Sequence, residues 1–342
     1  MQNEFLPEVT GGQIVQLSTE QDCLKYLGIE YLKQITNNLP HGQKVQDLLP
    51  IFIEYVDGGD ISITTDVIYS GASKILNYST ITFDGGSITS YVGLTLTAQN
   101  SELIAPSKAN PGYQILIAGA PGAPGATGAS GNSGVNGHAG QSNSGAPGGD
   151  GDPGKSGNDG SNGYVGGNGM ATPVSVINLG AITLAGDDSL SILVQSGAGG
   201  NGGNGGIGGD GGAGGDGGKA SSTNCSQHYN GGSGGDGGQG GAGGVGGIGG
   251  NGCTSGNSAV SITVSTSEDL DRLSYSAAAG KGGLPGVGGA GGAGGSAGNG
   301  GSGTKHGNYG TNGNAGGLGT AGDEGNSGGN GSIPSVTAIA NT

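Results

Sequence analysis

The sequence lacks several features on which common protein classes depend. Its 342 residues include no Trp, only three Phe and only ten basic residues, against 88 Gly and a net charge of −15. Large apolar residues concentrate before residue 118, so the remainder of the chain cannot build an ordinary side-chain core. Because an acidic chain is repelled by polyanions, this charge argues against nucleic acid and anionic membranes as partners.

Signals for catalysis, membrane insertion and export are also missing. No apolar run is long enough to span a bilayer, and the start, MQNEFLPEVTGGQ, has no basic or apolar region typical of a signal peptide. No HExxH, paired-cysteine or nucleophile-elbow pattern occurs, and matches to GxGxxG follow from glycine abundance alone. We therefore expect no enzyme, no cofactor, no metal, no membrane insertion and no cleavable signal peptide.

Glycine at every third position dominates the chain after residue 118. Six tracts keep this frame, and we number them in chain order: 119–140, 145–169, 197–218, 231–252, 280–301 and 307–331. A period of three fits an extended helix with three residues per turn, because only a residue without a Cβ lets a neighbouring backbone approach closely. Short polar breaks join the tracts in pairs, so each pair is predicted to form an antiparallel hairpin of polyglycine II helices.

The remaining segments predict a small helical and β-rich part. A capping-box pattern at Ser18 and Gln21 followed by apolar residues at helical spacing predicts a helix over 19–37. Alternating β-branched residues, with Asp-Gly turns between them, predict strands at 51–56, 61–68, 78–83, 87–98 and 114–119.

The predicted fold class is therefore mostly β and polyglycine II. It consists of a small N-terminal helix, a β-rich base that is either a short solenoid or a sandwich, and three antiparallel polyglycine II hairpins, six helices in all, packed as a bundle. Two domains are predicted. Residues 1–118 form the helix and the β-rich base or docking domain, and residues 119–342 form the bundle with interleaved β-segments at 174–197, 259–277 and 333–340.

The glycine spacing also predicts an order within the bundle. The second hairpin has glycine at two positions in three, so neighbours can surround it, whereas tracts 2 and 6 suit the outside. A sparse apolar seam inside the stem is expected from Ile207, Val245, Ile248, Leu284, Val287 and Leu318. A solvated acidic stem that resists aggregation is expected from Asp150, Asp152, Asp159, Asp210, Asp216 and Asp236.

The three cysteines do not predict a disulfide within the chain. Cys225 lies in the second break and Cys253 at the foot of the same hairpin. An extended tract would separate them by roughly 65 Å, far beyond the reach of a disulfide. Cys23 is expected to be a small core residue on its helix.

The polar breaks are the best candidate for a binding surface. If the hairpins are level, their tips cluster at one end, where Tyr and His supply flat contact area and amides supply adaptable hydrogen bonds. A solvated turn accepts the same residue types, so the composition alone also fits tips without a ligand. The candidate binding residues are His138, Asn143, Asn224, Gln227, His228, Tyr229, Asn230, Lys305, His306, Asn308 and Tyr309.

Over residues 119–331, the alternation of glycine tracts with short polar loops resembles the receptor-binding adhesins at the tail-fibre tips of T-even-like phages. This resemblance implies a bundle of polyglycine II helices whose distal loops bind a host surface protein. The tracts are also similar to those of the snow-flea antifreeze proteins. Ice binding would require a flat face of Ala, Thr or Val, whereas the variable positions here mix Asp, Asn, Ser and Ile.

Two functional hypotheses follow. In the first, the chain is a non-enzymatic extracellular adhesion protein on a virion tail fibre or cell surface, and its stem displays tip loops that bind a cell-surface receptor or glycan. In the second, it is a self-assembling subunit of an extracellular filament, in which its terminal segments add strands to copies of itself. Both hypotheses place the chain in a larger assembly, without nucleic acid.

Overall fold

The described part of the chain is built on two stacked parallel sheets. A computed structural model describes residues 13–26, 32, 44–186, 188–223, 227–253 and 259–341. Its strands are β1 Gln13–Leu17, β2 Ile51–Asp57, β3 Asp60–Ile63, β4 Val67–Tyr69, β5 Ser73–Asp84, β6 Ile88–Ser90, β7 Leu94–Ala105, β8 Ile115–Ala118, β9 Asn143–Ser144, β10 Ser175–Leu184, β11 Leu190–Gln195, β12 Ala220–Ser221, β13 Ala259–Val264, β14 Leu273–Ala278 and β15 Ser335–Ala340.

The chain passes from one large sheet to the other after almost every strand. The first sheet has the order β1-β2-β5-β7-β10-β13-β15, with β3 also on β5, and the second has the order β14-β11-β8-β6-β4. Neighbours in both sheets are parallel, except β1 and β2, which are antiparallel. From β3 onward the large-sheet strands alternate between the sheets, so each coil of chain adds one strand to each sheet.

Large apolar side chains fill the space between the two sheets. Phe83, Ile115 and Ile177 are fully buried there, together with residues from β11 and β13. A smaller cluster, which includes Leu17, Cys23 and Ile75, lies on the side of the first sheet that the N-terminal helix covers. Cys23 is a core residue, as predicted, and burial raises the pKa of its thiol.

The helical elements of the described residues are short. Residues 20–26 and Leu32 are helical, a 3₁₀ turn spans Val45–Leu48 and an α-helix spans Ser267–Asp271. The first helix begins at residue 20, one residue later than predicted, because Thr19 and Asp22 form the capping pair instead of Ser18 and Gln21. Residues 27–31 and 33–37 of the predicted helix 19–37 lie outside the described residues.

The Asp-Gly signals mark an interruption within one strand path and a corner between the sheets instead of hairpin turns. Gly58 and Gly59 lie between β2 and β3. These two strands pair with consecutive parts of β5, so they form one strand path that the glycines interrupt. Gly85 has a φ of +87° at the corner between β5 and β6, which lie in different sheets. A left-handed residue at that corner favours glycine.

The six glycine tracts are long connections between the sheets. They leave the second sheet after β8, β11 and β14, and they return to the first sheet at β10, β13 and β15. Because β8, β11 and β14 are neighbours in one sheet and β10, β13 and β15 in the other, the three hairpins start and end side by side. We call the six tracts together the glycine array.

Backbone hydrogen bonds at every third residue hold the glycine array in two layers. Tracts 1, 3 and 5 run in the same direction and form the first layer. Bonds such as that from the Gly122 N–H to the Ala198 carbonyl oxygen, at 2.8 Å, join them. Tracts 2, 4 and 6 form the second layer in the same way. Tracts of different layers run in opposite directions. They are also joined by hydrogen bonds, such as that from the Gly203 N–H to the Tyr164 carbonyl oxygen at 2.8 Å. Tracts 3 and 4 each bond to four neighbours, which is the central position predicted for the second hairpin.

The predicted fold class is wrong. The regular elements of the described chain form two multi-stranded sheets, parallel except for the antiparallel pair β1 and β2, and one two-stranded ladder, with a few short helical segments, not a bundle of six polyglycine II helices. The described tract residues have neither helix nor strand. The physical reason is the position of the core: large apolar side chains are buried between strands, and the glycine frame belongs to the connections between those strands.

The expected apolar seam is also wrong. The six apolar side chains assigned to it are exposed, Leu318 to 82% of its surface. Close backbone packing leaves no room for a side chain between tracts, since a Cβ at the inward glycine Gly206 would overlap the Ala129 carbonyl oxygen. Variable residues therefore lie on the outer surface of the glycine array.

The acidic residues of the tracts are exposed, as expected, but they also bond to neighbouring tracts. Asp159 Oδ1 accepts a hydrogen bond from the Ala242 N–H at 2.7 Å, and Asp210 Oδ1 accepts one from the Ala293 N–H at 2.8 Å. Asn162 and Asn204 make equivalent bonds. These side chains cross-link tracts of the same layer in addition to their role as solvated charges.

Candidate functional site

The tips of the first two hairpins are joined to each other. The Asn143 N–H donates to the Lys219 carbonyl oxygen at 2.9 Å, and the Gly145 N–H donates to the Ser221 carbonyl oxygen at 2.7 Å. These bonds belong to a small parallel ladder between β9 and β12. The Lys219 N–H also donates to Ser142 Oγ at 3.1 Å, so the backbone at Lys219 is fixed against the first tip.

Thr304 joins the third tip to the second. Its N–H donates to the Tyr229 carbonyl oxygen at 2.9 Å, and its Oγ1 accepts from the Tyr229 N–H at 3.0 Å. The same hydroxyl donates to the Gln227 carbonyl oxygen at 3.2 Å. Thr304 is buried, so these bonds are shielded from water. We call the described residues 141–147, 219–223, 227–230 and 302–309 the tip surface.

A tight turn projects Lys305 and His306 from the tip surface. The Gly307 N–H donates to the Thr304 carbonyl oxygen at 2.9 Å, which closes a turn with these two exposed residues at its centre. His228 Nδ1 lies 2.9 Å from the His306 carbonyl oxygen, and since a carbonyl only accepts, Nδ1 donates. The two imidazole centroids are 5.1 Å apart.

The structure places most of the other candidate residues on the same surface. Asn143 Nδ2 donates to the Pro147 carbonyl oxygen at 2.7 Å, and Asn230 Oδ1 accepts from the Asn308 N–H at 2.9 Å. Tyr309 is 77% exposed. Gln227 Oε1 accepts from Thr223 Oγ1 at 3.3 Å.

Two candidate residues do not belong to this described surface. His138 lies within tract 1, where its Nδ1 is 3.5 Å from Asp152 Oδ2. Asn224 and Cys225 lie outside the described residues. Cys253 is buried at the foot of the glycine array, where its N–H donates to the Gly197 carbonyl oxygen.

The tip surface offers hydrogen-bonding groups and positive charge. No three His, Cys, Asp or Glu side chains converge on a possible metal position among the described residues. A small cavity of about 130 Å³ lies elsewhere, at the foot of the glycine array between Tyr91, Pro121 and Gln195, and no charged residue lines it.

Sequence reasoning did not include Lys219 or Thr304 among the candidate residues. Lys219 is exposed and directly follows the last glycine of tract 3. That position in the sequence could have identified it as a candidate residue. Thr304 had no comparable signal, because its role depends on contact with residues 75 to 77 positions earlier in the chain.

Comparison with known proteins adds little. No protein-family model matches the chain, and no curated protein does. A solved structure with weak similarity is the springtail antifreeze protein from Granisotoma rainieri, described as a bundle of nine polyproline type II helices. It is 26% identical, the alignment covers 57% of this chain and 93% of that chain, and the TM-score is 0.10. At this score the similarity supports no conclusion about fold or activity.

None of these comparisons tests the resemblance to phage tail-fibre adhesins, which stays an expectation. Among the described residues, no helical segment has the length and apolar character needed to span a bilayer. The two-domain division also stays a prediction.

Proposed function

We propose that the protein is a non-enzymatic extracellular adhesion protein, carried on a virion tail fibre or a cell surface. The glycine array acts as a stem, and the tip surface binds a cell-surface receptor or glycan. The observation that carries this proposal is the joining of three tips, remote in sequence, into one surface of exposed polar side chains through Asn143, Tyr229 and Thr304.

Pre-organisation of the tip surface supports a binding role. Loops that bind partners usually stand on a rigid scaffold, and here each tip is hydrogen-bonded to a neighbouring tip. Because the backbone of the tips is held before a ligand arrives, binding loses less conformational entropy. A solvated turn with no partner would not require bonds such as those of Thr304 between separate hairpins.

Cell binding by tip variants tests the proposal. A fluorescently labelled full chain would be measured against a panel of bacterial and animal cells by flow cytometry. Changing Lys305, His306 and Tyr309 to Ala is expected to abolish the binding shown by the unaltered chain. The matched control changes three exposed tract residues, Lys281, Val287 and Leu318, to Ala and is expected to bind normally. Equal binding by the tip variant and the unaltered chain would refute the proposal.

A filament subunit is the second candidate, favoured by the open edges of the sheets. β15 pairs with β13 of its own chain, and no described strand lies on its other side. Such an edge is a template for adding a strand of another copy. In this case sedimentation velocity would show concentration-dependent polymers, and Ile339→Lys, at an exposed edge position, would abolish them. A monomer at all concentrations would remove this candidate.

A further inference from the structure

The tip of this acidic molecule carries a net positive charge. The three breaks, residues 141–144, 219–230 and 302–306, contain Lys219 and Lys305 and no Asp or Glu. Since the whole chain has a net charge of −15, the breaks contribute +2 and the remainder carries −17. His228 and His306 lie on the same surface. Oppositely charged ligands are therefore attracted to this end of the molecule and repelled by the rest.

The two lysines stand on backbone that is fixed by other tips. Lys219 is held by bonds of its N–H and carbonyl groups to Ser142 and Asn143. The next residue, Ala220, donates from its N–H to the Ser302 carbonyl oxygen at 2.9 Å, close in sequence to the turn that carries Lys305. Both lysines are exposed. Their ammonium groups consequently extend from a single surface built by all three hairpins.

The acidic residues that lie close in sequence to the first two breaks, Asp216 and Asp150, have other partners. Asp216 Oδ1 accepts from the Asn299 N–H at 2.8 Å, and Asp150 Oδ1 accepts from the Ser233 N–H at 2.7 Å. Both contacts join tracts below the tips. Neither Lys219 nor Lys305 makes an ion pair with a described carboxylate within 4.0 Å, so both are available to an external anion.

We infer that the tip surface recognises an acidic glycan through its carboxylate or sulfate groups, an inference that rests on the proposed adhesion function. Lys219 and Lys305 would pair with the anionic groups. Amide side chains such as Asn143 and Gln227 would bond to sugar hydroxyls, and the exposed phenol of Tyr309 offers a flat contact surface.

Charge distribution favours a glycan over other polyanions. Nucleic acid and anionic membranes present extended surfaces of high negative charge, and these would also meet the acidic remainder of the protein. A flexible carbohydrate chain can contact the tip surface alone.

Binding of defined polysaccharides to lysine variants tests the inference. The full chain would be immobilised and probed at low and high salt with hyaluronan, dextran sulfate, uncharged dextran and phosphatidylserine vesicles. The tip variant is K219Q/K305Q. The matched control is K155Q/K281Q, which makes the same change in net charge at two exposed lysines of the tracts.

We expect at least one acidic polysaccharide to bind in a salt-dependent manner and uncharged dextran not to bind. The tip variant should weaken that binding by at least about tenfold and the control by less than about twofold. Equal weakening by both variants would overturn the inference, as would dextran binding as tight as that of the acidic polymers. Vesicle binding without polysaccharide binding would also overturn it.

The same variants separate this inference from the adhesion function. If K219Q/K305Q keeps its cell binding while the variant of Lys305, His306 and Tyr309 loses it, adhesion stands and the acidic-glycan inference falls. If the chain binds acidic polysaccharide through its two lysines but binds no cell, the inference stands and adhesion falls.

Discussion

At the scale of single residues, neighbouring glycines in one tract have opposite roles. A Cβ at Gly316 would overlap the Gly238 carbonyl oxygen, whereas a Cβ at Gly317 would meet no atom within 4 Å. The two positions are adjacent in sequence, yet one faces another backbone and the other faces solvent. The packing contact, and not a general need for flexibility, therefore determines where glycine is required.

This difference predicts opposite effects of the same substitution. Gly316→Ala should lower the free energy of unfolding by about 1–3 kcal/mol, because tract 6 must move away from tract 4. Gly317→Ala should raise it by about 0.4–1 kcal/mol, since Ala restricts the unfolded chain. Urea denaturation of both variants measures the difference. A similar loss in both would show that glycine is needed for backbone conformation instead of close packing.

A buried carboxylate links stability to pH. Burial alone would raise the pKa of Asp269, but hydrogen bonds from the Ile182 N–H and from Thr266 outweigh it and lower that pKa. A lowered pKa in the folded state means that the carboxylate stabilises the protein above its unfolded pKa. The contribution is lost as the pH falls through the folded pKa.

Asp269→Asn should therefore lower the free energy of unfolding at pH 7 by about 2 kcal/mol. It should also reduce the loss of stability between neutral and acidic pH. The control is Asp271→Asn, an exposed position at the end of the same helix. Denaturant titrations from pH 7 to pH 3 measure both effects, and parallel pH profiles for the unaltered chain and Asp269→Asn would contradict the prediction.

At the scale of elements, the coupling between hairpins depends on a few side chains. Thr304 Oγ1 both accepts from the Tyr229 N–H and donates to the Gln227 carbonyl oxygen. Thr304→Val keeps the shape of the side chain but leaves that N–H without this partner. We expect faster hydrogen exchange at the Tyr229 amide with little change in Tm, because the tracts below stay bonded.

Thr304→Ser provides the control for this prediction, since it keeps the hydroxyl. Exchange at Tyr229 should then remain close to that of the unaltered chain. If Thr304→Val exchanges as slowly as Thr304→Ser, the hydroxyl does not couple the tips.

Several elements could be predicted from the sequence. Strand β2 and the segments that return to the sheets were found from their alternating β-branched residues. The matched tract lengths led us to expect that the tips lie together. Hydrogen bonds such as that from the Ala220 N–H to the Ser302 carbonyl oxygen agree with this expectation.

The sheet topology could not be predicted in the same way. Alternation in β5 and β7 identifies strands without identifying their partners, and the Asp-Gly pairs are typical of hairpins. Here Gly58 and Gly59 lie within one strand path whose register on β5 is unchanged, and Gly85 forms a corner between sheets. β7 and β10 pair in parallel although two glycine tracts separate them in the sequence. No local sequence pattern predicts that pairing.

The candidate site was predictable as a region but not in its detail. Composition identified exposed polar side chains such as His228 and Tyr309, because the breaks interrupt the glycine frame. The contacts of Lys219 and Thr304 depend on how the hairpins align, which side-chain type alone does not reveal. The bonds from Asp159 and Asp210 to adjacent tracts were missed for the same reason, since an exposed acidic residue normally indicates only solvation.

At the scale of the whole molecule, the two parts bury different kinds of surface. The sheets bury apolar side chains such as Phe83 and Ile177, whereas the glycine array is held by backbone hydrogen bonds and leaves its apolar residues exposed. Burial of apolar surface is the source of the heat-capacity change of unfolding. The heat-capacity change of unfolding should consequently be smaller than that of an ordinary globular protein of the same length.

An ordinary protein of 342 residues would have a heat-capacity change of about 4–5 kcal/mol/K. We expect calorimetry to give a clearly smaller value, because the array exposes little apolar surface when it unfolds. Deleting tract pair 280–331 should then change the measured value by less than its share of the length. A heat-capacity change in the ordinary range would indicate that the glycine array buries apolar surface in solution.

The hydrogen bonds between tracts repeat identically every three residues, so the stem is modular. Inserting one Gly-X-Y triplet into each of the six tracts would lengthen it by one step and present the same neighbours at every level. A triplet added to tract 5 alone would put that tract out of step with its neighbours, while β14 and Thr304 hold its hairpin at foot and tip. The reach of the tip surface is therefore a quantity that changes in whole steps, and only when all three hairpins change together.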